Sequence, residues 1–323
     1  METWTFAIID LAMADQVCLH RVARQTQVVE RYTTLMLTLS VLNIICSFAT
    51  SVGNLFVIYA LWKVSSIPSN LKNLFLSLAF SDLAVGLFAQ PIHGAITAVM
   101  LMKVANENFN VTFLCPAVMM VSHVSGYLLA VATFLNITAI AIDRLLVLSL
   151  HLRYLELVTP KRMVITLVSL WFTSAVTTSL YMTFPKHNSV VTVVLECVGL
   201  ILTAVANIRI YQAVRYHQDQ IRNQLQQGYD EARERLRERK SFISALYVFV
   251  IFVACYIPNL CAAVLLMADL SQISFRAIYN VTASFVLLNS SLNPIVYCWR
   301  FREMRAILKR VVRKISPTNG CGQ

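Results

Sequence analysis

The chain has 323 residues, of which 58% are hydrophobic and 13% charged, with mean hydropathy +0.65 and a formal net charge of +11. A soluble domain of this length is far less apolar, so the composition excludes that class and points to an integral membrane protein. The positive charge is a signal of membrane topology and is not read as nucleic-acid binding.

The first 33 residues carry charges between apolar clusters and no signal peptide with a small-residue cleavage site, and are read as an extracellular tail, in part helical. Crossing about 30 Å of hydrocarbon takes about 20 apolar residues. Runs of that length or more fall at approximately 34–62, 71–101, 114–149, 163–184, 190–214, 242–268 and 275–298, so seven spans are predicted. Basic residues decide their orientation. Lys63, Lys72, the arginines and lysines of 144–162, 209–240 and 300–314 make 21 on one side, against six on the other: Arg21, Arg24, Arg31, Lys103, Lys186 and Arg276. The positive-inside bias puts the N-terminus outside and the C-terminus in the cytoplasm.

In chain order, Gly53-Asn54 brings an amide into the first span and Ser81-Asp82 a carboxylate into the second. An acid at membrane depth is costly and by default functional, the alternative being a structural acid bonded to a neighbouring amide. With Asn54, Thr133, Asn289, Ser290 and Asn293 as candidate partners, Asp82 sits in an oxygen-rich set suited to a small hard cation such as sodium. Asn110-Val111-Thr112 is a glycosylation sequon in the first outer loop, whereas those at Asn136, Asn280 and Asn289 lie in or near spans. At the inner end of the third span Asp143 and Arg144 stand side by side. Elsewhere such a pair is a solvated cap; here it ends a membrane-length helix. Between the fourth and fifth spans only Pro185 to Ser189 remain as a loop, and Gln218 to Lys240 reads as a helix-prone extension of the fifth and sixth helices. Beyond Tyr297 one more helix, 299–314, carries Phe301, Met304, Leu308 and Val311 on one face among basic residues, an interfacial helix for anionic inner-leaflet lipid. Residues 315–323 form a short tail.

The ordered set Gly53-Asn54, Leu78-Ala79-Phe80-Ser81-Asp82, Asp143-Arg144, Trp171, Cys255-Tyr256-Ile257-Pro258 and Asn293-Pro294-Ile295-Val296-Tyr297 resembles the rhodopsin-like class of G-protein-coupled receptors across roughly residues 35–314. Leu152-Arg153-Tyr154 and Tyr297 to Glu303 are most similar to adenosine and melanocortin receptors. The fold implied is an all-α seven-helix bundle, 34–298, with a short amphipathic eighth helix. The implied function is a plasma-membrane receptor that activates a heterotrimeric G protein, with arrestin and receptor dimerisation as further associations.

On this resemblance, Arg144 is held at rest by Asp143 and by Glu238, the latter standing within a basic and acidic run that otherwise reads as a solvated charged helix. Agonist binding shifts the population to a state with the sixth helix swung outward. Pro258 supplies the pivot, Tyr256 stands where most of the class has tryptophan, and Asn293, Pro294 and Tyr297 form the inner switch of the seventh span. Departures are Gly199 where a proline is common, Asn207 where a tyrosine is usual, and the missing cysteine between the fourth and fifth spans. Of eight cysteines, only Cys18 and Cys115 are read as extracellular, either bridged to each other or free. Cys321 is a candidate palmitate acceptor.

The ligand is less legible. Gly126 replaces the amine-receptor aspartate and Leu287 the retinal-binding lysine, which disfavours a biogenic amine and an ordinary opsin. Ala263 replaces the adenine-reading asparagine, and Ile92, Met119 and His123 stand where melanocortin receptors carry acids. The candidate pocket is apolar with a few polar points: Gln90, His93, His123, Tyr127, Glu196, Asn259, Tyr279 and Asn280. Glu196 needs a partner or a ligand, and His123 is one candidate, as a pair or a proton sensor. Otherwise Glu196 faces another helix or snorkels, and the histidines are packing residues. A small or lipidic ligand is expected. Alternatives are a constitutive or dimer-partner receptor with a vestigial pocket and, remotely, a transporter, for which no internal repeat is visible. No catalytic motif is present, so no enzyme and no cofactor beyond sodium are expected.

Overall fold

A helix in hydrocarbon must satisfy its backbone internally and can leave apolar side chains facing out, so its polar residues gather where helices meet. The computed structural model follows this rule over the residues it describes, 18–65, 67–115, 117–150, 153–183, 185–224, 249–268 and 272–315. Phe48 is 74% exposed on the outer face while Asp82 is 0% exposed inside, with Asn43, Asn54 and Asn136 similarly buried. Seven helices are long and apolar enough to cross a membrane: Thr33–Lys63, Ser69–Ala105, Ala117–Leu150, Pro160–Thr183, Val190–Ala213, Phe249–Met267 and Ile273–Trp299. They are the first to seventh spans. Further helices cover 18–31, Tyr154–Leu157 and Arg302–Ile315, and the described residues contain no strand.

The expected spans recur with ends moved by a few residues. One expectation fails: 185–189 is not a loop but the first turn of the helix Pro185–Gln224 that carries the fifth span. Apolarity marks depth in the bilayer, not where a helix ends, and a proline at the first helical position lacks only an N–H that would go unbonded.

Small residues let the helices approach. A Cβ on Gly53 would lie 2.9 Å from Pro294 Cγ, and one on Gly86 2.8 Å from the backbone nitrogen of Ser51. Ser40 donates to the Gly94 carbonyl at 2.8 Å, joining the first and second spans. In the second span the turn Val85–Ala89 is a π-helix. It lies just before Pro91, whose missing N–H and ring a wider turn accommodates. Trp171 of the fourth span donates to Ser77 of the second at 3.2 Å.

Met304, 0% exposed, and Phe301 fasten the last helix under the bundle. Phe75 packs against both Tyr297, tilted with 4.9 Å between ring centres, and Phe301, edge-on at 5.8 Å. The exposed residues of this helix include Arg302, Arg305, Lys309 and Arg310, so its basic face is turned out.

Candidate functional site

At the end of the bundle expected to face the cytoplasm, Arg144 donates to Asp143 through both Nε, at 3.1 Å, and a terminal guanidinium nitrogen. Its adjacency in sequence makes this pair easy to foresee. The third member is not foreseeable from adjacency: the Tyr154 hydroxyl donates to the other oxygen of Asp143 at 2.6 Å. Tyr154 opens the short inner helix Tyr154–Leu157, and Asn70 at the start of the second span anchors that loop by donating to the Val158 carbonyl at 2.8 Å. Burial first, then the bond to Asp143, pushes the Tyr154 phenol above its ordinary range, so it remains a donor at neutral pH. Asp143 therefore has a partner at each oxygen. Glu238, the other expected partner of Arg144, lies outside the described residues, as does Cys321.

In the middle of the bundle, Asn293 donates to Asp82 at 2.6 Å and Thr133 to its other oxygen at 3.3 Å, with Ser290 as a third hydrogen-bond partner. Asn54 donates to the Ser290 carbonyl at 3.2 Å, which keeps the seventh span against the first. Three of the residues expected around a cation, Thr133, Ser290 and Asn293, thus bond to Asp82, the fourth; Asn289, the fifth, is buried with its amide nitrogen unpartnered. Carboxylate, hydroxyl and amide oxygens are the donor set of a hard cation, and the Asn54 Oδ1, buried without a partner, adds one more acceptor. The residues fit such an ion.

One layer outward, Tyr256 packs on Phe252 and Phe134 with ring centres 4.5 and 5.1 Å away, and its buried hydroxyl has no partner. Phe134 also explains Gly199. A Cβ there would stand 2.4 Å from the Phe134 ring, so glycine replaces the more usual proline to admit the ring between third and fifth spans. Asn207 donates to the Thr203 carbonyl of its own helix at 2.8 Å. Pro294 lies inside the seventh helix and Pro258 within the helical sixth span.

The outer candidates divide. Gln90 is buried and donates to the Leu287 carbonyl at 3.2 Å, Asn259 accepts from Thr282 at 3.3 Å, and Asn280 approaches the Met36 sulfur at 3.9 Å. These three bind helices to one another. Tyr127 stacks on Tyr181 at 4.8 Å and bonds to Thr192, one turn above Glu196 on the fifth span. Glu196 and His123 form no ion pair among the described residues, so the expected partnership is absent. Tyr279 lies within electrostatic reach of Tyr181, Glu196 and Tyr127. A Cβ at Gly126 would meet nothing within 4 Å.

Helix 18–31 covers the outer end. Cys18 is bonded to Cys115 across 97 residues of sequence, so the two are bridged, and not free thiols. Val22, Val28 and Val29 pack with Ile96, Met100 and Ala277. Tyr32 and Ser274 share a hydrogen bond of 3.0 Å between the first and seventh spans. Asn110 caps its own sequon, its Oδ1 accepting from the Thr112 backbone at 2.8 Å and hydroxyl at 2.7 Å.

Seven spans, a buried acid at their centre and an Asp-Arg pair at one end make the comparison with known proteins pointed. Residues 53–198 and 185–297 match the 7 transmembrane receptor (rhodopsin family). The chain belongs to that family. It is 24% identical over 290 residues to adenosine receptor A3 of Ovis aries, covering 81% of this chain and 86% of that receptor. It is 20% identical over 267 residues to melanocortin receptor 3 of Homo sapiens, covering 80% of each, and 22% identical over 185 residues to melanocortin receptor 5 of Ovis aries, covering 56% of this chain and 57% of that one. This rhodopsin-family chain is a multi-pass membrane receptor, and members of its family are receptors and not enzymes.

Proposed function

We propose that this rhodopsin-family receptor sits in the plasma membrane with its N-terminus outside, binds a small or lipidic ligand in the outer half of the bundle, and activates a heterotrimeric G protein as the sixth helix moves outward. The observation that carries this reading is the arrangement of Arg144. Its guanidinium is held by an aspartate whose other oxygen a tyrosine of the inner loop bonds, so the loop fixes the carboxylate that Arg144 must leave. A charged group kept this way is a two-state element that a ligand can bias. Pro258 as pivot, Tyr256 as the ring that senses the ligand, and Asn293, Pro294 and Tyr297 as the inner switch complete the path. Glu238 adds a second hold on Arg144. Arrestin and a second receptor copy are further partners, inner-leaflet lipid meets the last helix, Asn110 carries a glycan and Cys321 a palmitate.

Asp82, Thr133, Asn289, Ser290 and Asn293 would hold a sodium ion, whose charge would neutralise the buried carboxylate. The chain's own residues do the rest, Asn293 tying the seventh span to the second through Asp82.

The test is nucleotide exchange on a panel of G-protein alpha subunits, in membranes of cells expressing the chain or Arg144→Ala at equal surface density. Exchange that the wild type raises and Arg144→Ala does not is the expected result. Equal exchange from both would overturn the assignment of Arg144. No exchange on any subunit would favour a dimer-partner role.

A further inference from the structure

A groove of about 240 Å³ runs between the first and seventh spans, lined by Tyr32, Leu35, Ser274, Ala277, Ile278 and Val281. Its depth in the bilayer follows from the ends of those helices. Tyr32 directly precedes the first span and Ser274 directly follows the first residue of the seventh, so both stand at the level of the membrane surface. From Ser274 to Val281 the helix rises about 10 Å. The groove therefore starts at the interface and descends into hydrocarbon.

Its two walls differ. Leu35 and Ile278, 39% and 46% exposed, face the surroundings. Ala277, which is buried, and Val281 belong to the apolar cluster that Val22, Val28 and Val29 of helix 18–31 join. The groove is thus open on the membrane side and backed by the bundle. At its head the Tyr32 and Ser274 hydroxyls share a bond of 3.0 Å across the seam and stay exposed. One such bond uses one O–H and one lone pair, which leaves the two hydroxyls a donor and acceptors for a further group. None of the six lining residues is charged. Pockets for whole small molecules begin at about 300 Å³, so this groove suits part of a molecule whose remainder stays in the bilayer.

We propose that this groove binds a neutral, hydroxyl-bearing lipid of the adjoining leaflet, with its hydroxyl on Tyr32 and Ser274 and the upper part of its chain along Leu35, Ala277, Ile278 and Val281. The site goes beyond the receptor reading above and needs only a bundle that spans a bilayer, so either can fail without the other. Lipid tails are as apolar as leucine, so apolar contact alone gives this place no preference over bulk lipid. The selective element is the hydroxyl pair, which stands where a lipid's head is found. An ionised head would bring its charge to a rim whose lining residues offer no opposite charge, and would lose hydration without return. Tyr32 joins helix 18–31 to the first span, so the occupant touches the joint between that helix, the first span and the seventh.

The experiment uses the full chain in phosphatidylcholine nanodiscs, with a monooleoylglycerol analogue carrying a diazirine in the upper half of its chain as probe. After irradiation the labelled peptides are mapped by mass spectrometry. Label is expected on the peptides that hold Leu35 and 274–281, displaced by excess monooleoylglycerol and far less by octadecene, which has no head, or by oleate, which is charged. Tyr32→Phe combined with Ser274→Ala keeps the ring and removes both hydroxyls; it should lower that labelling about fivefold, as for loss of one net hydrogen bond. Ile278→Trp, which fills the groove from its exposed edge, should lower it at least as much. Phe285→Trp, at another exposed position of the same span, should leave it unchanged. An intact Cys18–Cys115 bond in each variant shows that helix 18–31 is seated. Label spread evenly over other exposed positions such as Phe48 and Phe172, equal displacement by octadecene or oleate, crosslinks to a second copy of the chain, or wild-type labelling in both groove variants overturns the site. Labelling should be the same in Arg144→Ala, which separates this site from G-protein coupling.

Discussion

The two ends of the bundle treat charge in opposite ways. At one end Asp143 is answered by Arg144 and Tyr154, and nearer the middle Asp82 is answered by Asn293, Thr133 and Ser290. At the other end Arg24, Arg276 and Glu196 have no ion-pair partner among the described residues. A paired charge is held in one arrangement until the pair is broken, whereas an unpaired one is held only by its surroundings.

The contrast breaks most completely at Arg144. Arg144→Ala should remove nearly all G-protein exchange while surface density, measured by antibody to an extracellular tag, stays within about twofold of wild type, since Asp143 keeps its bond from Tyr154 when the guanidinium is gone. Packing beneath the pocket comes next. Gly199→Leu should collide with Phe134 and lower thermal stability by about 1–3 kcal/mol. Combining it with Phe134→Ala should recover part of the loss, because neighbours that clash are not additive. A double variant no better than Gly199→Leu alone would mean that the glycine serves another purpose.

Tyr154→Phe sharpens the comparison at the inner end. It removes one hydrogen bond to a buried carboxylate, about 1.5 kcal/mol at the low end, and basal exchange should rise by up to about tenfold. An unchanged baseline would show that the inner loop does not hold the switch. At the centre, Asp82→Asn should flatten the dependence of agonist affinity on sodium between low and physiological salt, and a dependence like that of the wild type would remove the cation from the account. The smallest effect is expected at Glu238, whose neighbours in sequence are charged: Glu238→Ala should raise basal exchange by no more than about threefold, as for an exposed pair.

Much of the switch was legible because its members are either adjacent or stand in recognisable local contexts. Asp143 and Arg144 are neighbours, and an acid such as Asp82 within an apolar run announces itself by its cost. Tyr154 escaped notice because an aromatic residue in an inner loop has no such signature; only the fold of that loop brings its hydroxyl to Asp143. In the outer half the reading was weaker for a different reason. Gln90, Asn259 and Asn280 were candidates for a pocket as polar residues at the right depth, but depth does not say which way a helix faces, and all three hold helices together. The expected pairing of His123 with Glu196 failed for the same reason.

What the amino-acid order alone determined is the number of spans and the place of each family motif along them. The bilayer makes these one-dimensional questions of apolar length. Tertiary structure alone decided the Cys18–Cys115 bond, the bond from Tyr154 to Asp143 and the seat of Phe134 against Gly199. Each depends on the rotation of helices and on contacts between distant segments, which are set by how whole faces pack and not by any local run of residues.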